Sequence, residues 1–96
     1  MTRSNRVESE SKNVFLDLGF DASEADVLYM RSRLMIDLRL YIQENQLTQV
    51  QAARKLGITQ SRVSDLVRGK WQKFNLEMLI TLEARIGRKV RLEVAA

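Results

Sequence analysis

The stretch of sequence that most constrains the fold is TQVQAARKLGITQSRVSDLVRGK, which begins at Thr48. Gly57, near its middle, suits the left-handed residue that closes a helix. Thr48 and Thr59 are residues of the type that cap helix N-termini, and each precedes apolar side chains at helical spacing. The stretch therefore predicts two short helices, one over residues 49–56 and one over about residues 60–67.

Three positions in this stretch match the packing of a helix-turn-helix, in which two short helices meet at a steep angle across a short turn. Ala53 is a small residue where the second helix would cross the first. Gly57 tolerates a positive φ angle in the turn, and Val63 can point back at the first helix. Together these positions are more specific than a lone glycine, and they predict helix-turn-helix packing through Ala53, Gly57 and Val63.

The polar residues that this packing leaves outward are of types that recognise DNA. The N-terminal end of a recognition helix meets base edges, where glutamine pairs with adenine and arginine with guanine. The predicted base contacts are Gln60, Ser61, Arg62 and Ser64. Helix N-termini and cations beyond the second helix can bind phosphates. The predicted backbone contacts are Thr48, Gln49, Thr59, Arg68, Lys70, Gln72 and Lys73. The alternative for each residue is an ordinary solvated side chain.

Positive charge is concentrated in the same stretch. The chain has 16 basic and 12 acidic residues, a net charge of +4. Residues 47–73 hold six basic and one acidic residue, whereas residues 14–46 hold three basic and six acidic ones. This polarity is typical of a surface that faces a polyanion, although a solvated basic face would give the same counts.

Composition argues against several other classes. The chain has no cysteine and no histidine, so thiolate metal sites are excluded and the commonest general base is missing. Asp17, Asp21, Glu24 and Asp26 fall in a helix-capping region without a second converging group, so we expect no enzyme and no cofactor. No apolar run approaches about 18 residues, and the N-terminus has no signal-peptide core. We therefore expect a cytoplasmic protein.

The remaining sequence predicts a mainly all-α, phage-repressor-like bundle of four to five helices. A long amphipathic helix is expected from the capping box at Asp21 to about Asn45, although its length leaves a break near residues 30–33 as an alternative. Another helix, capped by Asn75, is predicted to run through Ile86. Trp71 and Phe74 are expected to anchor the core or the loop between helices.

Two domain boundaries are predicted. Residues 1–13 are polar and are expected to form a flexible tail. Residues 14–96 are expected to form one helix-turn-helix DNA-binding domain, closed by a strand at residues 88–94 in which apolar residues alternate with charged ones. The apolar positions of this strand are Val90, Leu92 and Val94.

A lone strand of this length needs a partner. One candidate is the apolar segment at residues 14–18 of the same chain. The other is the same strand in a second chain across a two-fold axis, which would also place two recognition helices about 34 Å apart on DNA. We predict dimerisation through residues 88–94, with the pairing inside one chain as the alternative.

The stretch LTQVQAARKLGITQSRVSDLVRGK resembles the Xre/Cro phage-repressor family. That resemblance places Gln49, Gln60 and Ser61 at positions which the family uses for DNA contact. The wider frame, NVFLDLGF, GKWQKFNLEMLITL and IGRKVRLEV, is similar to HigA-type antitoxins of the addiction-module antidote group. This second resemblance implies a homodimer that represses its own operon at a palindromic operator and neutralises a RelE-like ribonuclease toxin. The alternative is a stand-alone Xre-type regulator with no toxin partner.

An apolar segment that follows a polar tail and lies outside the helix-turn-helix is a candidate for binding such a toxin. The residues concerned are Val14, Phe15, Leu16, Leu18 and Phe20. The alternative is that the segment simply packs on its own domain.

Overall fold

The computed structural model describes residues 14–95, so the predicted tail at residues 1–13 lies outside the described residues. The described part is mainly helical, as predicted. Its α-helices, numbered in chain order, are α1 (Ala22–Glu44), α2 (Gln49–Leu56), α3 (Gln60–Val67) and α4 (Leu76–Arg85). One helical turn at residues 14–17 precedes α1, and a 3₁₀ turn at Trp71–Lys73 lies between α3 and α4.

Each of these four helices begins at a side-chain cap. Asp21 Oδ1 accepts a hydrogen bond from the Glu24 amide at 2.8 Å, and Glu24 Oε1 accepts one from the Asp21 amide at 3.2 Å. This reciprocal pair is the predicted capping box. The side chains that cap α2, α3 and α4, each by accepting from the amide three residues on, are Thr48, Thr59 and Asn75.

Helix α1 is one continuous element of 23 residues. The break considered near residues 30–33 does not occur, because the helix contains neither glycine nor proline to cause one. Its C-terminal half joins the main core, while its N-terminal half extends beyond it. There Ala25, Leu28 and Tyr29 are buried, and the Arg31 guanidinium donates to the Trp71 carbonyl at 3.4 Å.

The core lies where the four helices meet, with α2 packed on α3 and both α1 and α2 packed on α4. Its buried members are Met35, Leu38, Ile42, Ala52, Leu56, Val63, Leu66, Phe74, Leu79 and Leu82. Four apolar residues of these helices lie outside the core and are exposed by 36–46%, namely Val27, Met30, Val67 and Ile80. Each belongs to a helix whose buried stripe is narrower than the apolar pattern suggests.

The predicted C-terminal strand is not found within the described chain. Residues 88–95 form no strand with any residue in the described range, because a lone segment lacks a neighbour that supplies ladder hydrogen bonds. Pairing with residues 14–18 is also absent, since that region forms a helical turn. The segment is fastened at Arg88, whose Nη1 donates to Asp37 Oδ2 at 2.6 Å and whose guanidinium lies 5.3 Å from the Tyr41 ring centroid. Pairing with a second chain stays a prediction.

Candidate nucleic-acid interface

The turn between α2 and α3 has the geometry that the sequence predicts. Gly57 adopts φ 69° and ψ 34°, the left-handed conformation. The amides of Gly57 and Ile58 both donate to the Ala53 carbonyl, at 2.8 and 3.1 Å. Val63 is fully buried in the core and Ala53 packs against that core. These contacts set how α3 leaves the turn.

The Arg85 side chain also stabilises this turn through hydrogen bonds. Its Nη1 donates to the Leu56 carbonyl at 2.8 Å and to the Gly57 carbonyl at 3.2 Å. A cation at a helix C-terminus also interacts favourably with the helix dipole. The sequence offers no signal for this contact, because Arg85 lies 28 residues beyond the turn that it holds.

Replacing Gly57 by alanine should therefore be more costly than the backbone strain alone. The left-handed conformation costs a residue with a Cβ about 1–2 kcal/mol. The added Cβ would also lie 3.0 Å from Arg85 Nη1 and 3.4 Å from its Cζ, so the guanidinium must shift and its hydrogen bonds to the two carbonyls are weakened. We expect urea unfolding to show a loss of roughly 1–3 kcal/mol in the free energy of unfolding.

Gly87→Ala is the matched control for this prediction. Gly87 also has a positive φ, 81°, but a Cβ there meets no heavy atom within 4 Å. The control variant should therefore lose only the free energy of unfolding that the backbone strain costs. Equal losses in the two variants would show that displacing the Arg85 guanidinium costs no stability.

The N-terminal end of α3 presents polar side chains to solvent. Gln60 and Ser61 are exposed, and Ser64, one turn along, is half-buried. The predicted backbone contacts that are exposed are Thr48, Gln49, Thr59, Arg68, Gln72 and Lys73, while Lys70 is half-buried. Within α3, the outward face therefore has hydrogen-bonding groups at the end that would meet base edges.

Asp65 links the far end of α3 to the basic loop that follows it. Its carboxylate lies 3.4 Å from Lys73 Nζ and 3.7 Å from Lys70 Nζ, and its carbonyl accepts from the Lys70 amide at 3.0 Å. The carboxylate therefore gathers two of the predicted phosphate-binding lysines beside α3.

Arg62 occupies a different environment from its neighbours Gln60 and Ser61. Its Nη2 lies 2.9 Å from Met78 Sδ, and its Cζ lies 5.1 Å from the Phe74 ring centroid, a cation–π distance. The guanidinium thus bridges α3 and α4. To reach a base it would have to give up both contacts.

A protein-family model described as a helix-turn-helix domain matches residues 14–95. The chain belongs to this helix-turn-helix family. The match spans α1 to α4 and most of the C-terminal segment, so the predicted helix-turn-helix is confirmed and its family points to a DNA-binding regulator. A search of curated proteins finds no significant match.

The N-terminal segment of this helix-turn-helix protein divides into two sets of side chains. Phe15 and Phe20 are half-buried, and each ring packs edge-on against Trp71 at a centroid distance of 6.3–6.4 Å. The exposed set is Val14, Leu16 and Leu18, with 54%, 43% and 68% of their surface accessible. The sequence pattern could not separate these two sets. The contact that distinguishes them is packing on Trp71, which lies more than 50 positions further along the chain.

None of the helices that the structure describes is long and apolar enough to cross a lipid bilayer.

Proposed function

We propose that this helix-turn-helix protein is a sequence-specific repressor that binds double-stranded DNA, with α3 in the major groove. The observation that carries the proposal is the exposed pair Gln60 and Ser61 at the N-terminal end of α3. The loop after α3 adds the cations that a phosphate backbone requires. Direct binding to duplexes selected from a randomised pool tests it. No catalytic activity and no cofactor belong to the proposal.

The proposed contacts fall into two kinds. Gln60, Ser61 and Ser64 face base edges, where hydrogen bonds distinguish sequences. The phosphate contacts are Thr48, Gln49, Thr59, Arg68, Lys70, Gln72 and Lys73. Gln49 is the first residue of α2, whose opening amides have no partner within the helix and can donate to a phosphate.

Gln60→Ala should weaken binding to the preferred duplex by roughly 1–3 kcal/mol and relax the preference at one base pair. The reason is that a glutamine at this end of a recognition helix can form a bidentate pair with adenine. Fluorescence titration against the preferred duplex and its single-position substitutions measures both effects. Gln43→Ala, a change at an exposed glutamine on α1, is the control and should alter neither.

Arg62→Ala gives the contrasting signature in the same titrations. Because its guanidinium bridges Met78 and Phe74, we expect its loss to weaken binding to all duplexes alike and to lower the melting temperature. A preference relaxed at one position, with unchanged stability, would instead assign Arg62 to base readout as the sequence predicts.

Lys73→Ala should reduce the salt dependence of binding without altering sequence preference. Each phosphate contact releases about one counterion, so the slope of log K against log salt should fall in magnitude by about one unit. Lys55→Ala, at an exposed lysine of α2 that is not among the proposed contacts, should leave the slope unchanged. An unchanged slope for Lys73→Ala would remove that residue from the phosphate contacts.

We further propose that the repressor is a homodimer on a palindromic operator and, as its resemblance to HigA-type proteins suggests, the antitoxin of a RelE-like ribonuclease. The exposed side chains of Val14, Leu16 and Leu18 support a protein-binding role for that segment, and Phe15 and Phe20 would hold it on the domain. Co-purification with the product of a neighbouring gene for a small basic ribonuclease-like protein tests this role. Without such a gene, a stand-alone Xre-type repressor is the better description.

A further inference from the structure

The C-terminal segment leaves an apolar surface without a partner. A groove of about 330 Å³ lies between this segment, α1 and α4, and its apolar lining includes Met30, Leu34, Leu76, Ile80 and Leu92. Leu92 and Val94 each remain 87% exposed. The segment forms no ladder with the rest of the described chain, so both its backbone and its apolar side chains are available to an extended partner.

We propose that residues 88–94 pair antiparallel with the same residues of a second copy, in a register that places Leu92 on the two-fold axis. This rests on the proposed homodimer and specifies its interface. In an antiparallel pair, directly opposed residues share one face of the sheet. The side chains of Val90, Leu92 and Val94 from both chains can therefore lie on one face only if one residue of the segment is opposed by its own copy. That residue then lies on the two-fold axis.

Charge selects among the possible residues on the axis. With Leu92 there, Arg91 opposes Glu93 of the second copy at two equivalent places, and Val90 opposes Val94 likewise. With Val90 on the axis, Lys89 would oppose Arg91. Arg91 or Glu93 on the axis would set two like charges directly against each other. Like charges in opposed positions destabilise a pair. Val94 on the axis avoids them but places Glu93 opposite Ala95, without the attractive Arg91–Glu93 pairs, so the Leu92 register is favoured.

Single cysteine variants test this register, because the natural chain contains no cysteine. In the Leu92→Cys variant the two cysteines would be directly opposed, with Cα atoms about 4.5–5.5 Å apart and within disulfide range. In the Val90→Cys variant they would lie roughly 14 Å apart, beyond that range. Under mild oxidation Leu92→Cys should form the covalent dimer at least roughly tenfold faster than Val90→Cys. Faster cross-linking of Arg91→Cys or Val90→Cys would overturn the register.

Charge reversal provides an independent readout. Arg91→Glu and Glu93→Arg should each weaken the homodimer in sedimentation, whereas a mixture of the two should form mainly heterodimers in native mass spectrometry, because both opposed pairs become attractive again. The double variant R91E/E93R should restore the homodimer, which also shows that the substitutions leave the fold intact. Statistical mixing would contradict the proposal.

Binding of the same variants to DNA separates this inference from the proposed function. A dimer that binds its operator but cross-links at another position would overturn only the register. A monomer that still binds DNA would overturn the second copy as the partner, and a dimer that binds no duplex would overturn the function alone.

Discussion

Replacing Phe74 by alanine should lower the free energy of unfolding by roughly 3–5 kcal/mol. Phe74 is 1% exposed and lies in the core that joins the four helices. Its ring also lies beneath the Arg62 guanidinium of α3. Removing the ring leaves a cavity that the surrounding side chains fill only in part. Because small domains are stable by only about 5–15 kcal/mol, urea unfolding should show a large fraction of the stability lost.

Phe20→Ala is the matched control for this effect. Phe20 is also aromatic and contacts Trp71, but it is half-buried outside the main core, so the same substitution should cost clearly less. Equal losses would contradict the central place of Phe74. In conditions where the Phe74 variant remains folded, its affinity for DNA should fall for all duplexes alike. The reason is that the Arg62 side chain of α3 loses the ring on which it packs.

The second large effect concerns Glu83, which is 2% exposed on α4. Burial, and after it the neighbouring Asp37 carboxyl, raise the pKa of this carboxyl to about 8. The pKa of Asp37 is lowered, first by its hydrogen bond with Glu83 and then by Arg88. The cluster therefore favours a protonated Glu83 that donates to an ionised Asp37, which in turn holds Arg88 and the C-terminal segment.

Stability should consequently fall as pH rises from about 4.5 to about 8. In this interval folded Glu83 retains a proton that the unfolded chain has released, so the stabilisation is complete below pH 4.5 and is lost as pH approaches 8. The loss should be a few kcal/mol at most, since one pKa unit corresponds to about 1.4 kcal/mol. Asp37 acts in the opposite direction only at acid pH, where its lowered pKa makes stability fall below about pH 3.8.

Glu83→Gln should flatten this profile, because the amide stays neutral at every pH. Urea unfolding at intervals from pH 5 to pH 8 measures the slope for both proteins. Glu77→Gln, at an exposed glutamate on the same helix, should keep the wild-type slope. A wild-type free energy of unfolding that does not change between pH 5 and pH 8 would contradict the assignment of a protonated Glu83.

The helices could be predicted from the sequence because their signals are local. Thr48, Thr59 and Asn75 each accept a hydrogen bond from the amide three residues further along the chain. Gly57 ends α2 directly after its last residue. The C-terminal segment shows the limit of such signals. Its alternation is a property of residues 88–94 alone, but a strand requires hydrogen bonds from a neighbour that the described chain does not provide.

The candidate site was predictable to the same extent. Exposure of Gln60 and Ser61 follows from the spacing that buries Val63. The inward position of Arg62 does not, because its contacts, Met78 and Phe74, come from residues 16 and 12 positions further along the chain. Arg62 is therefore a polar residue on the predicted reading face whose side chain is held by tertiary packing.

The most direct test of the central claim is selection of duplexes from a randomised pool, followed by titration of the selected and a scrambled duplex at one fixed salt concentration. If α3 reads base edges, the selected duplex should bind at least about 10³-fold more tightly than the scrambled one. Gln60→Ala should lower this ratio, and the lost preference should map to one base pair of the selected duplex. Equal affinity for selected and scrambled duplexes would contradict sequence-specific recognition.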